Sequence, residues 1–307
     1  MRRVFITGVT GFTGAHLAKR LVEKGVEVVG LARDPKPVTT LSLLGVKDKI
    51  TLIYGDVCNE SLLRRILADY EIDSVFHFAA ITIVKRAPKM PVETFKVNCI
   101  GTATLLNACR QVEGIERILV PSTDKVYWEG MNKKESDALE AKGIYESSKI
   151  AQEAVARAFA FTYDMPIVIT RACNIFGEYD LNPRIVPNTI RALKSGKSPI
   201  IFRNYPGIRE YIYIDDVLDA YLFLMERIEK VKGEVFNIGT GETKGQEEIV
   251  LKLIEISGLD IKPRYVEPPN LKEIRAQSMD SSKIRELGWK PKYSVEEGLR
   301  LTWERWK

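Results

Sequence analysis

Short apolar runs alternate with longer stretches of helical period from residue 4 to residue 170. That rhythm restricts the chain to a parallel sheet covered by helices on both faces, because a parallel strand pair needs a long crossover. Strands are predicted over residues 4–7, 26–32, 49–54, 74–78, 117–121 and 167–170, and helices over 12–24, 61–70, 91–112 and 143–163. The expected fold class is α/β: a Rossmann-type doubly wound parallel sheet. After Arg171 the rhythm loosens and prolines and glycines become frequent, among them Pro183, Pro187, Gly196, Pro199, Pro206, Gly207, Pro263, Pro268, Pro269 and Pro291. A smaller C-terminal substrate-binding lobe is therefore expected. The division is placed at residues 1–170 and 171–307, with short returns to the first domain; 211–214 and 234–238 read as strands open to either lobe.

Composition narrows the class. At 307 residues, 45% hydrophobic and 28% charged, the chain can bury a large core. The net charge of +5 comes from 46 basic and 41 acidic residues mixed along the sequence, so no basic tail points to nucleic acid. No run of apolar residues is long enough to span a membrane, and the N-terminus lacks a signal-peptide pattern. Cys58, Cys99, Cys109 and Cys173 lie far apart, which fits reduced thiols in a cytoplasmic protein. Neither His16 nor His77 stands in a metal-ligand setting, and no metal is expected.

The first strand runs into Gly8-Val9-Thr10-Gly11-Phe12-Thr13-Gly14 and then a helix. Glycines there permit a tight turn and close approach of the backbone to a pyrophosphate, and the helix N-terminus offers free N–H groups. Gly8, Thr10, Gly11, Phe12, Thr13 and Gly14 are thus the expected dinucleotide cradle. At the end of the second strand Ala32 occupies the position where an acid holds the ribose hydroxyls of NAD, and Arg33 follows. A missing carboxylate and an added guanidinium favour NADP, while Asp34 keeps NAD open. Asp56 is placed either to bond the adenine amino group or to cap the next helix.

Tyr145 and Lys149 are spaced four apart on a predicted helix and share a face. A free tyrosine is a poor base at neutrality, and a neighbouring ammonium favours its phenolate. Such a pair can take a proton from an alcohol as hydride leaves the same carbon. Thr123, at the end of the preceding strand, can bond the same oxygen.

These residues resemble the extended short-chain dehydrogenase/reductase family. The glycine turn, His77-Phe78-Ala79-Ala80, Asn98, the Tyr145–Lys149 pair, residues 171–177 and residues 209–216 all match, over essentially the whole chain. The resemblance implies that Val57, Phe78, Ala79, Ala80 and Asn98 also line the cofactor. Within the family, Thr123-Asp124-Lys125 resembles the nucleotide-sugar 4,6-dehydratases, most of which carry Thr-Asp-Glu. Aspartate followed by lysine, residues 177–187 and residues 273–277 look like the CDP-glucose branch, whereas Ala32-Arg33 looks more like the GDP-mannose dehydratases.

The implied reaction turns a nucleotide-diphosphate hexose into its 4-keto-6-deoxy form. Tyr145 would take the C4 hydroxyl proton, and Asp124 would protonate the departing C6 hydroxyl. Lys125 would act as base at C5 if neutral, or stabilise the enolate if cationic. Asn174, Arg209 and Arg275 are candidate donors to the substrate phosphates. The resemblance also implies a homodimer through the helices over 91–112 and 143–163. Two other readings stay open: a 4-epimerase or 4-keto-sugar reductase using Thr123, Tyr145 and Lys149 alone, and a dinucleotide-binding regulator without chemistry.

Overall fold

In the computed structural model, residues 1–84, 86–268 and 274–306 are described. Pro269 and Glu273, within segments named above, lie outside them. The described chain forms two compact units that interleave in sequence. The first comprises Met1–Val126, Leu139–Arg171 and Leu218–Phe236; the second comprises Tyr127–Ala138, Ala172–Val217 and Asn237–Lys307. The sequence reading divides the chain at residue 170 with short returns to the first domain; in the structure residues 218–236 belong to the first unit, 211–214 to the second, and 127–138 also to the second.

A seven-stranded parallel sheet organises the first unit. Across it lie Thr51–Tyr54, Glu27–Ala32, Arg3–Thr7, Ser74–His77, Arg117–Thr123, Ile167–Ala172 and Val235–Ile238. Strand order reverses between Arg3–Thr7 and Ser74–His77, which pair in register from Val4↔Ser74 to Thr7↔His77. Ligands of open α/β sheets bind outside the carboxyl ends of the strands at such a reversal. Strands Ser74–His77 and Ile167–Ala172 are buried at every residue. Burial on both faces explains why Val75-Phe76 and Ile167-Val168-Ile169 are consecutive apolar residues rather than alternating ones.

One predicted helix is broken in an informative way. Residues 91–112 were expected to form one helix; the chain instead makes an α-helix at Pro91–Phe95, a π-helical turn at Lys96–Ile100 and a second α-helix at Gly101–Arg110. A π turn inserts an extra residue into the ladder and re-aims the side chains within it. Asn98 sits in that turn, fully buried.

In the second unit, Ile208–Tyr213 pairs with Thr243–Lys244, Ala276–Met279 and Asn174–Phe176, and Ala276–Met279 pairs with Gly130–Lys133. Glu210, fully buried, holds this sheet to its loops: its two carboxylate oxygens accept from Gly241 N at 2.7 Å and Met279 N at 2.8 Å. Among the described residues no helix is long and apolar enough to cross a membrane.

Candidate active site

The glycine turn is built for a close approach. Gly8 has φ +69°, and a Cβ there would lie 2.7 Å from the carbonyl carbon of Phe78 and 2.8 Å from Ala79 N. A Cβ on Gly14 would meet Gly8 O at 2.7 Å. Neither position tolerates a side chain without moving backbone. The helix Phe12–Glu23 starts from Gly11 with no side-chain cap and no acid in its first turn. Its leading N–H groups suit an anion, so these residues fit the pyrophosphate of a dinucleotide.

A hydrogen-bond chain locks the sheet reversal beside this turn. Thr7 Oγ1 accepts from Ala79 N at 3.1 Å and meets His77 Nδ1 at 2.8 Å. His77 Nε2 meets Thr102 Oγ1 at 2.8 Å, and Thr102 donates to Asn98 O at 2.7 Å. Since Thr102 spends its proton on Asn98, His77 must carry its proton on Nε2 and accept from Thr7 on Nδ1. Burial, and then the charge of Lys149, hold His77 neutral by pushing its pKa down to about 3. Asn98 Oδ1 accepts from Ile81 N at 2.8 Å, and its amide donates to Ile81 O at 3.1 Å and Ser148 Oγ at 2.9 Å. Asn98 thereby ties the segment after Ser74–His77 to the helix Ile144–Tyr163.

That helix carries Tyr145 and Lys149, both buried. Lys149 Nζ donates to Pro121 O at 2.7 Å and to Gln152 Oε1. Burial pushes its pKa down to about 7, against the opposing field of Glu153. Glu153 is itself gripped by the fully buried Arg171, whose Nε reaches Oε1 at 3.0 Å and whose Nη2 reaches Oε2 at 2.6 Å.

Thr123 ends the strand Arg117–Thr123, and Asp124 and Lys125 open the short 3-10 turn that follows. Thr123 Oγ1 donates to Asp124 Oδ1 at 3.0 Å, and Lys125 Nζ donates to Asp124 Oδ2 at 2.8 Å. The Asp124 side chain is 3% exposed and that of Lys125 15%, so the pair is sheltered from solvent. All five residues expected to do chemistry belong to the first unit, together with every expected cofactor residue.

The peripheral expectations resolve as follows. Arg33 Nε donates to the adjacent Asp34 at 2.8 Å, with both side chains about half exposed. Asp56 Oδ1 accepts from Cys58 N at 2.7 Å, but the helix Glu60–Asp69 is capped by Asn59, so the capping alternative for Asp56 is corrected. Val57 is buried, and Thr10, Thr13 and Ala80 are half-buried. The three phosphate candidates belong to the second unit. Asn174 Nδ2 donates to Glu210 O at 3.0 Å. Arg209 Nη2 donates to Tyr205 Oη at 2.9 Å and also to Ile274 O. Arg275 is exposed, and its main-chain N donates to Glu129 at 2.9 Å.

Sequence reasoning missed three buried polar residues here: Glu146, Gln152 and Glu153. Gln152 and Glu153 stand three and four residues past Lys149, a same-face spacing that would have flagged them. Among the described residues no group of three or more His, Cys, Asp or Glu is placed to hold a metal ion.

The sheet order, glycine turn and Tyr145–Lys149 helix together define a dinucleotide-binding α/β protein with an oxidoreductase-type side-chain pair. The chain belongs to the NAD dependent epimerase/dehydratase family, whose profile matches residues 4–239. Among curated relatives, dTDP-D-glucose 4,6-dehydratase of Mus musculus is 30% identical, covering 99% of this chain and 88% of its own. Among solved structures, UDP-glucose 4-epimerase from Thermotoga maritima, with UDP-glucose, superimposes with a TM-score of 0.89 at 30% identity, covering 99% of this chain and 98% of its own. dTDP-glucose 4,6-dehydratase from Streptomyces venezuelae, solved with NAD, gives 0.88 at 28% identity, covering 99% and 96%.

Proposed function

We propose that this protein is an NAD-dependent nucleotide-sugar 4,6-dehydratase, converting an NDP-hexose to an NDP-4-keto-6-deoxyhexose. Full-length similarity to dTDP-glucose 4,6-dehydratases supports the reading. The observation that carries it is the sheltered Thr123–Asp124–Lys125 arrangement, because an epimerase has no use for an acid and a base beside the redox pair.

NAD held at the Gly8–Gly14 turn would supply a hydride acceptor for C4 and a hydride donor for C6. The chain's own groups handle the protons. Tyr145 takes the C4 hydroxyl proton, aided by the Lys149 ammonium, and Thr123 bonds the same oxygen. The ketone acidifies C5–H. Elimination then needs one acid and one base, and Asp124 and Lys125 share a single proton across 2.8 Å. With that proton on Asp124, the neutral Lys125 amine takes the C5 proton while Asp124 protonates the departing hydroxyl. The pair ends as carboxylate and ammonium, the arrangement of the present ion pair; as hydride returns to C6 the Lys125 ammonium gives its proton back to C5, and the proton that Tyr145 took from the C4 hydroxyl leaves through solvent as Asp124 is reprotonated. Asn174, Arg209 and Arg275 are assigned to the substrate phosphates.

NAD is assigned over NADP because Asp34 sets a carboxylate against the Arg33 guanidinium. That carboxylate suits ribose hydroxyls and repels a 2′-phosphate. Relative affinity for the two dinucleotides tests the assignment. A homodimer is assigned through the first unit's helices, where Phe161 is 92% and Val92 80% exposed. Light scattering tests it.

Product mass tests the activity. Incubation with a panel of NDP-hexoses is expected to yield a product lighter by one water. An isomer of equal mass would instead make the protein an epimerase, and stoichiometric use of reduced cofactor would make it a reductase. Tyr145→Phe is expected to abolish turnover with dinucleotide binding intact.

A further inference from the structure

Lys149 sits in an unusual setting for an ammonium. It is 4% exposed, and it donates to two carbonyls, Pro121 O and Gln152 Oε1. The charged and titratable groups around it come from several elements. Tyr145 and Glu153 share its helix, one turn to either side. Arg171, on the strand Ile167–Ala172, grips Glu153 through both oxygens. His77, on the strand Ser74–His77, feels the lysine charge and stays neutral. Asp124 and Lys125 follow the strand Arg117–Thr123 and pair with each other. From the π turn comes the neutral Asn98, bonded to Ser148. Glu153 thus directs its hydrogen-bonding capacity at Arg171 and acts on Lys149 only through space.

Gln152 stands out against this background. It is fully buried, and its Nε2 has no hydrogen-bond partner among the described residues. An unpaired buried amide group is destabilising. A side chain of the same shape without polar atoms would avoid that cost. The useful half of the amide is its carbonyl, which faces Lys149 Nζ. A carbonyl accepts more strongly from an ammonium than from a neutral amine, so it favours the charged lysine.

We propose that Gln152 is a positioning residue whose side-chain carbonyl keeps Lys149 in its ammonium form and fixes where that ammonium points. Gln152 acts through Lys149. Its consequence for turnover rests on the function proposed above, whereas its hold on Lys149 is a property of the protein alone. Without the carbonyl, burial goes less opposed, the ammonium is lost at lower pH, and Tyr145 loses the cation that favours its phenolate.

The experiment titrates the Lys149 side chain by NMR in cofactor-free protein carrying labelled lysine, with Lys149→Met identifying the signal. Gln152→Met is expected to lower the titration midpoint by about one unit. Gln152→Asn withdraws the carbonyl by one methylene, is expected to move the midpoint the same way, and decides the matter if the methionine variant does not fold. Gln152→Glu is expected to return the midpoint to the parent value or above it. A parent-like midpoint in the methionine or asparagine variant overturns the proposal. A second readout separates this inference from the function. A lowered midpoint accompanied by a shift of the kcat–pH profile's acid limb to higher pH supports both. A lowered midpoint with an unmoved profile supports the role of Gln152 and overturns Lys149 as the partner of Tyr145.

Discussion

Lys125 Nζ lies 2.8 Å from Asp124 Oδ2, while Thr123 Oγ1 reaches the other carboxylate oxygen at 3.0 Å. A salt bridge this sheltered is costly to desolvate and is weak support for stability alone. Its position beside the Tyr145 helix suits proton traffic instead. Lys125→Met is expected to cut kcat by about 10²–10⁴. The block falls after the first oxidation, so reduced nicotinamide should accumulate and solvent deuterium should stop entering C5. Rapid-quench analysis of the bound sugar checks this, and turnover close to the parent's would contradict it.

His77 makes stability depend on pH in a definite direction. Its folded pKa is pushed down to about 3 from an ordinary 6.5, first by burial and then by Lys149. Between those values the unfolded chain binds the extra proton and the folded chain does not. Stability is therefore expected to fall as pH drops from 6.5 towards 3, with no contribution from His77 above that window. Chemical unfolding at several pH values checks this, with His77→Gln expected to flatten the acid-side loss.

The Arg171–Glu153 pair is buried on both sides, at 0% and 2% side-chain exposure. Arg171→Met leaves a carboxylate stranded and is expected to cost about 3–5 kcal/mol. Glu153→Gln together with Arg171→Met is expected to recover part of that loss. Thermal unfolding of the single and double variants reads the difference directly.

Much of the first unit is legible in the sequence because it depends on local signals. The strand Arg3–Thr7, the turn at Gly8 and the helix from Phe12 announce themselves through period and glycine placement. The strand Arg3–Thr7 reads clearly because its buried centre, Val4-Phe5-Ile6, is continuously apolar. What escaped depends on distant partners. The strand Gly130–Lys133 is polar and short, and exists because Ala276–Met279 pairs with it. The π turn around Asn98 keeps the apolar rhythm of an ordinary helix, so nothing in residues 91–112 reveals it. Tyr145 and Lys149 were readable from spacing, whereas the grip of Arg171 on Glu153 joins a strand to a helix across the core and has no local signature.

Label transfer tests the central claim most directly. An NDP-hexose carrying deuterium at C4 is incubated with the protein, and the product is examined by NMR and mass spectrometry. Dehydration through internal redox is expected to move the deuterium to C6 of a 4-keto product that has lost one water. Deuterium retained at C4 of an isomerised sugar would contradict the account.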